Sequence, residues 1–499
     1  MTLIPLADIP RRGAEKHGAD AWAIRHGDDV ITWGQLTDRS LRRAHALRGA
    51  GIEPGDLVTL ALPNGSDFYE LLFALWTLGA TPHVVSYRLP LAELEAIVEV
   101  AAPKLVIAAD AGLQQSFGAR AADFGRDYHD ASPIAPVIVP RWKAMSSGGS
   151  TGRPKIIVAP GPNALDPDRK PPLRFPDDGP VLATGPVYHT MPLTTNIQAL
   201  FEGHPVVAMS RFDPEDALRL IETFRIKWTS FVPTMMMRIS RLPAEIRAQY
   251  DVSSLETVWH WAAPMPPALK QEWIDWIGPE KIWELYGGTE GIVTTILNGV
   301  EWLAHRGSVG RAVFDKIKIV DEQGRELPVG EVGEIFALPA GGKGSTYDYI
   351  GAEPRSTVDG YETLGDFGWL DADGYLYIAD RRTDMIVSGG ANIFPAEVEG
   401  ALMAHPDVEG AVVIGLPHDE FGAAVHAIVQ PTEQARGQLD QQVLLAFLRE
   451  RLVTYKLPRS FEFVADRLRD DAGKVRRQQL RADRIGTVNT ANMETAAAG

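Results

Sequence analysis

Short apolar runs alternate with amphipathic helical stretches along most of this chain. That alternation restricts its possible folds more than any other feature. Residues 57–62, 206–209, 228–232, 255–259 and 282–285 read as buried strands. Between them, Phe68, Leu71, Leu72, Leu75 and Leu78 recur at helical spacing, with Ser66 as the cap. Residues 214–224 follow Asp213 as a cap, and 267–277 repeats the pattern. Thr32 and Gln35 have capping-box spacing ahead of a helix that stops near Gly49 and Gly51. Strands separated by helices of this length predict parallel sheets covered on both faces. From Gly291 to about Asp380, short strands and turns take over, at 316–320, 334–338 and 375–378. A smaller α/β unit follows, with helices at 396–403 and 439–452 and strands at 410–414, 424–429 and 461–464. A chain of 499 residues exceeds what one core organises, so two or three domains are expected.

Composition removes several chemistries. There is no cysteine, hence no disulfide, thiolate metal site or thiol nucleophile. That fits a reducing compartment, and a cytoplasmic location is expected. The net charge of −16, with no long basic run, argues against a nucleic-acid partner. Asp8, Arg11, Arg12 and Glu15 interrupt any leader-like apolar region, and no uncharged apolar run reaches membrane-spanning length.

One stretch stands apart: Ser146-Ser147-Gly148-Gly149-Ser150-Thr151-Gly152-Arg153-Pro154-Lys155. Glycines let backbone amides approach a ligand, and successive exposed amides favour an anion. Hydroxyls and Lys155 add donors and charge. The spacing is not that of a Walker loop, because Arg153 and Pro154 follow Gly152. By itself the stretch is equally compatible with a flexible surface loop. Tyr286-Gly287-Gly288-Thr289-Glu290 follows a predicted strand, where ligands collect in α/β sheets. The tyrosine could stack on a base, the threonine could donate to a phosphate and the glutamate could hold Mg²⁺. An ordinary Gly-Gly turn is the alternative. Asp366 suits a ribose diol, or is a surface carboxylate. Asp371-Ala372-Asp373-Gly374 is a hairpin turn rather than a calcium loop, since its glycine is too early and Arg382 stands at the twelfth position. Gly389-Gly390 joins a helix start at Pro395, and Gly473-Lys474 lies in a turn near the end.

These five segments, in this order, resemble the adenylate-forming superfamily of acyl-CoA synthetases, peptide-synthetase adenylation domains and luciferases, from about residue 30 to residue 482. Within it the chain is most similar to acid–CoA ligases, including those for bile acids and aromatic acids. The resemblance implies an α/β fold: a large N-terminal domain of parallel-type sheets with a small β-barrel-like subdomain, residues 1–382, and a mobile α+β lid domain, 383–485. Residues 486–499 are expected to be a disordered tail. It implies that a carboxylate attacks the α-phosphorus of ATP to give acyl-AMP and pyrophosphate, and that a thiol then displaces AMP. ATP, Mg²⁺ and coenzyme A are the implied cofactors and substrates.

By motif position, Ser147, Gly148, Gly149, Ser150, Thr151, Gly152 and Lys155 would cradle the β- and γ-phosphates. Tyr286 and Gly287 would border adenine, with Ala263 beside them. Thr289 would contact the α-phosphate, Glu290 would bind Mg²⁺, and Asp366 and Arg381 would hold the ribose. Lys474 would bridge the acid and the α-phosphate. His189, Trp261 and Gly288 would shape the acid pocket, Gly389 and Gly390 would flank the CoA arm, and Thr383 would be the hinge. Four positions depart from the family pattern. Gly148 replaces a hydroxyl residue, Ile156 a glycine, Thr383 the Asp or Lys common at the hinge, and Trp261 a small residue. With Trp228, Met235 and His189, Trp261 suggests a flat pocket for a cyclic or aromatic acid; a core tryptophan is the alternative. An amide synthetase passing acyl-AMP to an amine, or an adenylation enzyme serving a carrier protein, are the competing readings. A homodimer is admitted.

Overall fold

Burying both faces of a parallel sheet requires helices on each side, and the chain does this twice. The computed structural model describes residues 3–148, 154–169, 171–381, 384–388, 391–418, 421–470 and 473–485. One nine-stranded sheet runs in the order Arg311–Ala312, Thr294–Asn298, Ile282–Gly287, Thr257–His260, Trp228–Phe231, Val181–Ala183, Val206–Ala208, Trp22–His26, Asp29–Thr32. Its inner strands, from Ile282–Gly287 to Trp22–His26, are parallel. A seven-stranded sheet has the order Asp348–Ile350, Pro154–Ala159, Lys143–Gly148, Thr81–Val84, Leu57–Ala61, Leu105–Ala108, Arg120–Ala121. It is antiparallel at its first edge and parallel beyond. The predicted strand-and-turn region forms a four-stranded antiparallel sheet: Lys316–Val320, Gly333–Leu338, Asp366–Leu370 and Leu376–Arg381.

Local signals account for many boundaries. Thr32 Oγ1 accepts from the Gln35 amide while Gln35 Oε1 accepts from the Thr32 amide, opening the helix Trp33–Gly49. Asp213 accepts from the amides of Glu215 and Asp216 at the start of Pro214–Phe224. Two expectations shift. Ser66 is the first residue of Ser66–Leu78 rather than its cap; Gly65 takes the cap position and no side chain caps it. That helix is buried on nearly every face, so packing stabilises it without a cap. Asp440, not Leu439, opens the later helix Gln441–Arg449, by accepting from two amides.

The C-terminal unit has its own core, built from Val398, Leu402, Val413, Val425, Val429, Leu444 and Leu448. Its strands Val408–His418 and Gly422–Pro431 are antiparallel, and Ser460–Phe463 joins in parallel. The expected hinge Thr383 and the tail 486–499 lie outside the described residues. Among the described residues, no helix is long and apolar enough to cross a membrane.

Candidate active site

Lys143–Gly148 and Pro154–Ala159, the strands on either side of residues 149–153, form an antiparallel pair with Ser147 opposite Lys155 and Gly148 opposite Pro154. Gly149, Ser150, Thr151 and Gly152 lie outside the described residues, as do the side chain of Ser147 and the surroundings of Gly148. Ile156 has a structural account. It is fully buried with Leu94, Ile97 and Val158, so its side chain fills the core beneath the helix Leu91–Ala101. Lys155, on the other face of the strand, donates to Glu290 Oε1 at 3.0 Å and to the Tyr349 hydroxyl at 2.7 Å.

Glu290 is 8 % exposed. Burial pushes its carboxyl up, but the Lys155 ammonium and the Tyr349 hydroxyl more than offset this and hold it below the usual carboxylate range. An ionised, enclosed carboxylate of this kind suits a hard cation such as Mg²⁺. The neighbouring Gly288 has no room for a side chain. A Cβ there would lie 2.8 Å from Leu364 Cδ1 and 3.0 Å from Glu290 Oε2. Tyr286 and Gly287 end the strand Ile282–Gly287. The Tyr286 hydroxyl donates to Asp366 Oδ2 at 2.7 Å, which aims a carboxylate that is only 4 % exposed. Arg381 pairs with Asp366 across the neighbouring strands, and its side chain lies outside the described part.

Thr289 connects this cluster to the helix Thr190–Glu202, because Thr190 Oγ1 donates to Thr289 Oγ1 at 3.1 Å. His189 is the residue before that helix, its ring tilted against Tyr188 at 4.9 Å. Burial, and then the Lys474 ammonium, push the His189 pKa down to about 3. The imidazole is therefore neutral across the physiological range. The Lys474 ammonium is thus near enough to the His189 ring to disfavour its protonation. The Lys474 turn is braced by Asp470, which accepts from the Lys474 amide at 2.9 Å, and by Arg469, which donates to the Gly473 carbonyl. Gly473 adopts φ +75° and rests against the N-terminal wall; a Cβ there would be 3.6 Å from Thr234 Oγ1 and 3.7 Å from Val232 Cγ2. Arg476 spans the two units to reach Glu93 at 2.7 Å.

Trp261 stands differently from the other expected site residues. It is 4 % exposed and packs beside Trp228 and Trp259, at 6.4 and 6.2 Å between ring centres. The Trp228 and Trp259 indoles both donate to the Leu173 carbonyl at 2.8 Å. Phe175 stacks on Trp228 at 4.7 Å. Both readings of Trp261 therefore have support: it belongs to a packed aromatic stack, and it stands two residues before the half-buried Ala263. Between them Ala262 holds φ +71°, a left-handed conformation rare outside glycine.

Three contributors escaped sequence reasoning. Tyr349 and Thr190 touch the expected site residues yet carry no local motif. Tyr347 and Tyr349 are two residues apart, one just before and one within the strand Asp348–Ile350, and that spacing was the available signal. The third is a cleft between the two units, walled by Phe212, Met235, Met237 and Met403 and lined by Arg211, Arg238, Arg241 and Arg467. Among the described residues, none of these four arginines has a carboxylate within 4.0 Å. Burial, and then the Arg467 guanidinium, lower the Arg238 pKa against the pull of Asp213 and Glu409. Gly389 and Gly390, expected to flank the same acceptor, lie outside the described residues.

The family of AMP-binding enzymes matches residues 10–339, and its C-terminal domain matches residues 397–474. A feruloyl-CoA synthase of an Amycolatopsis species is 33 % identical, covering 92 % of this chain and 95 % of that protein. A fatty acid–acyl-carrier-protein ligase of Streptomyces coeruleorubidus is 31 % identical, covering 91 % of each. Among solved structures, O-succinylbenzoate coenzyme A synthetase from Bacillus subtilis, in complex with ATP and magnesium ion, superimposes with a TM-score of 0.77 at 25 % identity, covering 96 % of this chain and 100 % of that one. With its N-terminal sheets and its C-terminal unit both matched, the chain belongs to the AMP-binding enzyme family.

Proposed function

We propose that the chain is an AMP-forming acid–CoA ligase acting on a cyclic or aromatic carboxylic acid. One observation supports this reading: the Gly473-Lys474 turn of the small unit rests against Val232 and Thr234 of the N-terminal unit, near enough for the Lys474 ammonium to lower the His189 pKa. A cation there can neutralise charge as an acid carboxylate oxygen attacks the α-phosphorus and pyrophosphate leaves. In this reading Lys155 takes the terminal phosphates, Thr289 contacts the α-phosphate, and Asp366 and Arg381 hold the ribose. Tyr286, Gly287 and Ala263 border the adenine. Glu290 would hold Mg²⁺, which supplies neutralising charge to the phosphates. Residues 1–382 carry the nucleotide and acid, 383–485 act as the lid, and Thr383 is the pivot. ATP and CoA are both at hand in the cytoplasm, the setting that suits this chemistry.

The acceptor is a second question. The four arginines line the cleft between the units beside Glu409 and Asp470, none with a carboxylate within 4.0 Å among the described residues, and in a protein of net charge −16 they favour a phosphorylated thiol over a simple amine. A phosphopantetheine arm on a carrier protein is the alternative that a relative's name favours. The test is product analysis over aliphatic, aromatic and steroidal acids, with ATP and either CoA, an amine or a loaded carrier protein. Thioester formation from aromatic acids with CoA is expected. Amide without thioester, or acyl-carrier without acyl-CoA, would replace this reading.

A further inference from the structure

Lys155 and Glu290 do not meet alone. Tyr349 Oη sits between them, accepting from Lys155 Nζ at 2.7 Å and donating to Glu290 Oε1 at 2.7 Å, while Lys155 Nζ donates to that same Oε1 at 3.0 Å. The three groups close a ring of hydrogen bonds. Their meeting follows from register. Asp348–Ile350 runs antiparallel to Pro154–Ala159 with Tyr349 opposite Ile157. Lys155 is two residues from Ile157 and so projects on the same face, diagonally across from Tyr349. The ammonium lies 4.2 Å from the centre of the Tyr349 ring. The ring itself is fixed from behind by Tyr347, edge-on at 4.7 Å, whose hydroxyl donates to the fully buried Glu362 at 3.0 Å.

We propose that Tyr349 is a positioning residue of the nucleotide site, holding Glu290 in its metal-facing orientation while Lys155 moves between Glu290 and the phosphates of the nucleotide. The inference rests on the assignment of Lys155 to phosphate and Glu290 to Mg²⁺. Without nucleotide, the Lys155 ammonium neutralises Glu290. When phosphates draw that ammonium away, the carboxylate loses its cation, and the Tyr349 hydroxyl still donates to Oε1. Its donation keeps an enclosed carboxylate aimed, so the incoming cation meets a fixed oxygen rather than one that must reorient.

Tyr349→Phe removes this hydroxyl and keeps the ring that packs on Tyr347 and Lys155. The measurement is calorimetric binding of α,β-methylene-ATP with and without Mg²⁺, with AMP as the ligand that makes no use of the terminal phosphates. Melting temperature reports whether the variant is folded. Tyr349→Phe is expected to weaken binding of the magnesium complex about tenfold, the scale of one hydrogen bond to a charged group, with AMP binding within twofold of the parent. Glu290→Gln serves as the reference and should abolish the magnesium enhancement. If Tyr349→Phe keeps the full enhancement while Glu290→Gln loses it, Tyr349 is only a packing residue and the proposal is overturned. If Glu290→Gln also keeps it, the assignment of Glu290 to the metal fails, and this inference fails with it. A fall in affinity for AMP equal to that for the magnesium complex would point to general damage and would likewise overturn the proposal.

Discussion

The two halves of the candidate site are supported in opposite ways. On the N-terminal side, Lys155, Glu290, Tyr286 and Asp366 stand on or beside strands of three sheets, and each is held by a side-chain partner from a distant part of the chain. On the C-terminal side, Lys474 is exposed and sits in a turn. That turn is fixed within its own unit by Asp470 and by an Arg469–Glu399–Arg477 charge cluster. It reaches the site through contacts such as Arg476 to Glu93 and Arg241 to the Val408 carbonyl. Groups that bind the ground state gain from being rigid and prepaired. A cation needed only while charge builds on phosphorus is better carried on separate support, because it then acts on the transition state without tightening substrate binding.

Removing the separately carried cation is the strongest way to break this comparison. Lys474→Ala is expected to slow acid-dependent pyrophosphate release by roughly 10²–10³-fold, with ATP affinity changed less than about threefold in equilibrium binding. Near-normal release would take Lys474 out of the chemistry. A smaller effect is expected from the rigid side. Trp261→Gly should cost about 3–5 kcal/mol of stability and raise turnover of longer acids by roughly tenfold or more, read from melting curves and the acid profile. Lost stability with an unchanged profile would assign Trp261 to packing alone. The smallest effect belongs to the boundary between the units. Arg476 and Glu93 are 55 % and 37 % exposed, so Arg476→Ala should change adenylation by less than about fivefold, the scale of a surface ion pair. A loss above tenfold would mean that this single contact sets where Lys474 stands.

Sequence reading was strongest where the cause is local. The Thr32–Gln35 box and the Asp213 cap are each satisfied within three residues, and both appear in the structure as written. Pro267–Ile277 is recovered to the residue. Ser66 misled because a good capping residue near a helix start does not decide which residue occupies the cap. At the site, the motifs located Glu290, Tyr286 and Asp366 but could not say what holds them. The Tyr286–Asp366 bond spans 80 positions and the Lys155–Tyr349 bond 194. Such partners are set by sheet order and register, which no local pattern encodes. Ile156, an oddity in the glycine-rich segment, is explained only once the helix above it is seen to need an apolar floor.

Ala262 stores backbone strain beside the aromatic stack. A left-handed alanine is disfavoured by about 1–2 kcal/mol, and here the unfavourable turn lies between a tryptophan locked in an aromatic stack and a proline at 264. Packing of Trp261 against Trp228 and Trp259 helps hold that strained turn in place. If acid and adenine bind on either side of this turn as proposed, a strained backbone residue separates them.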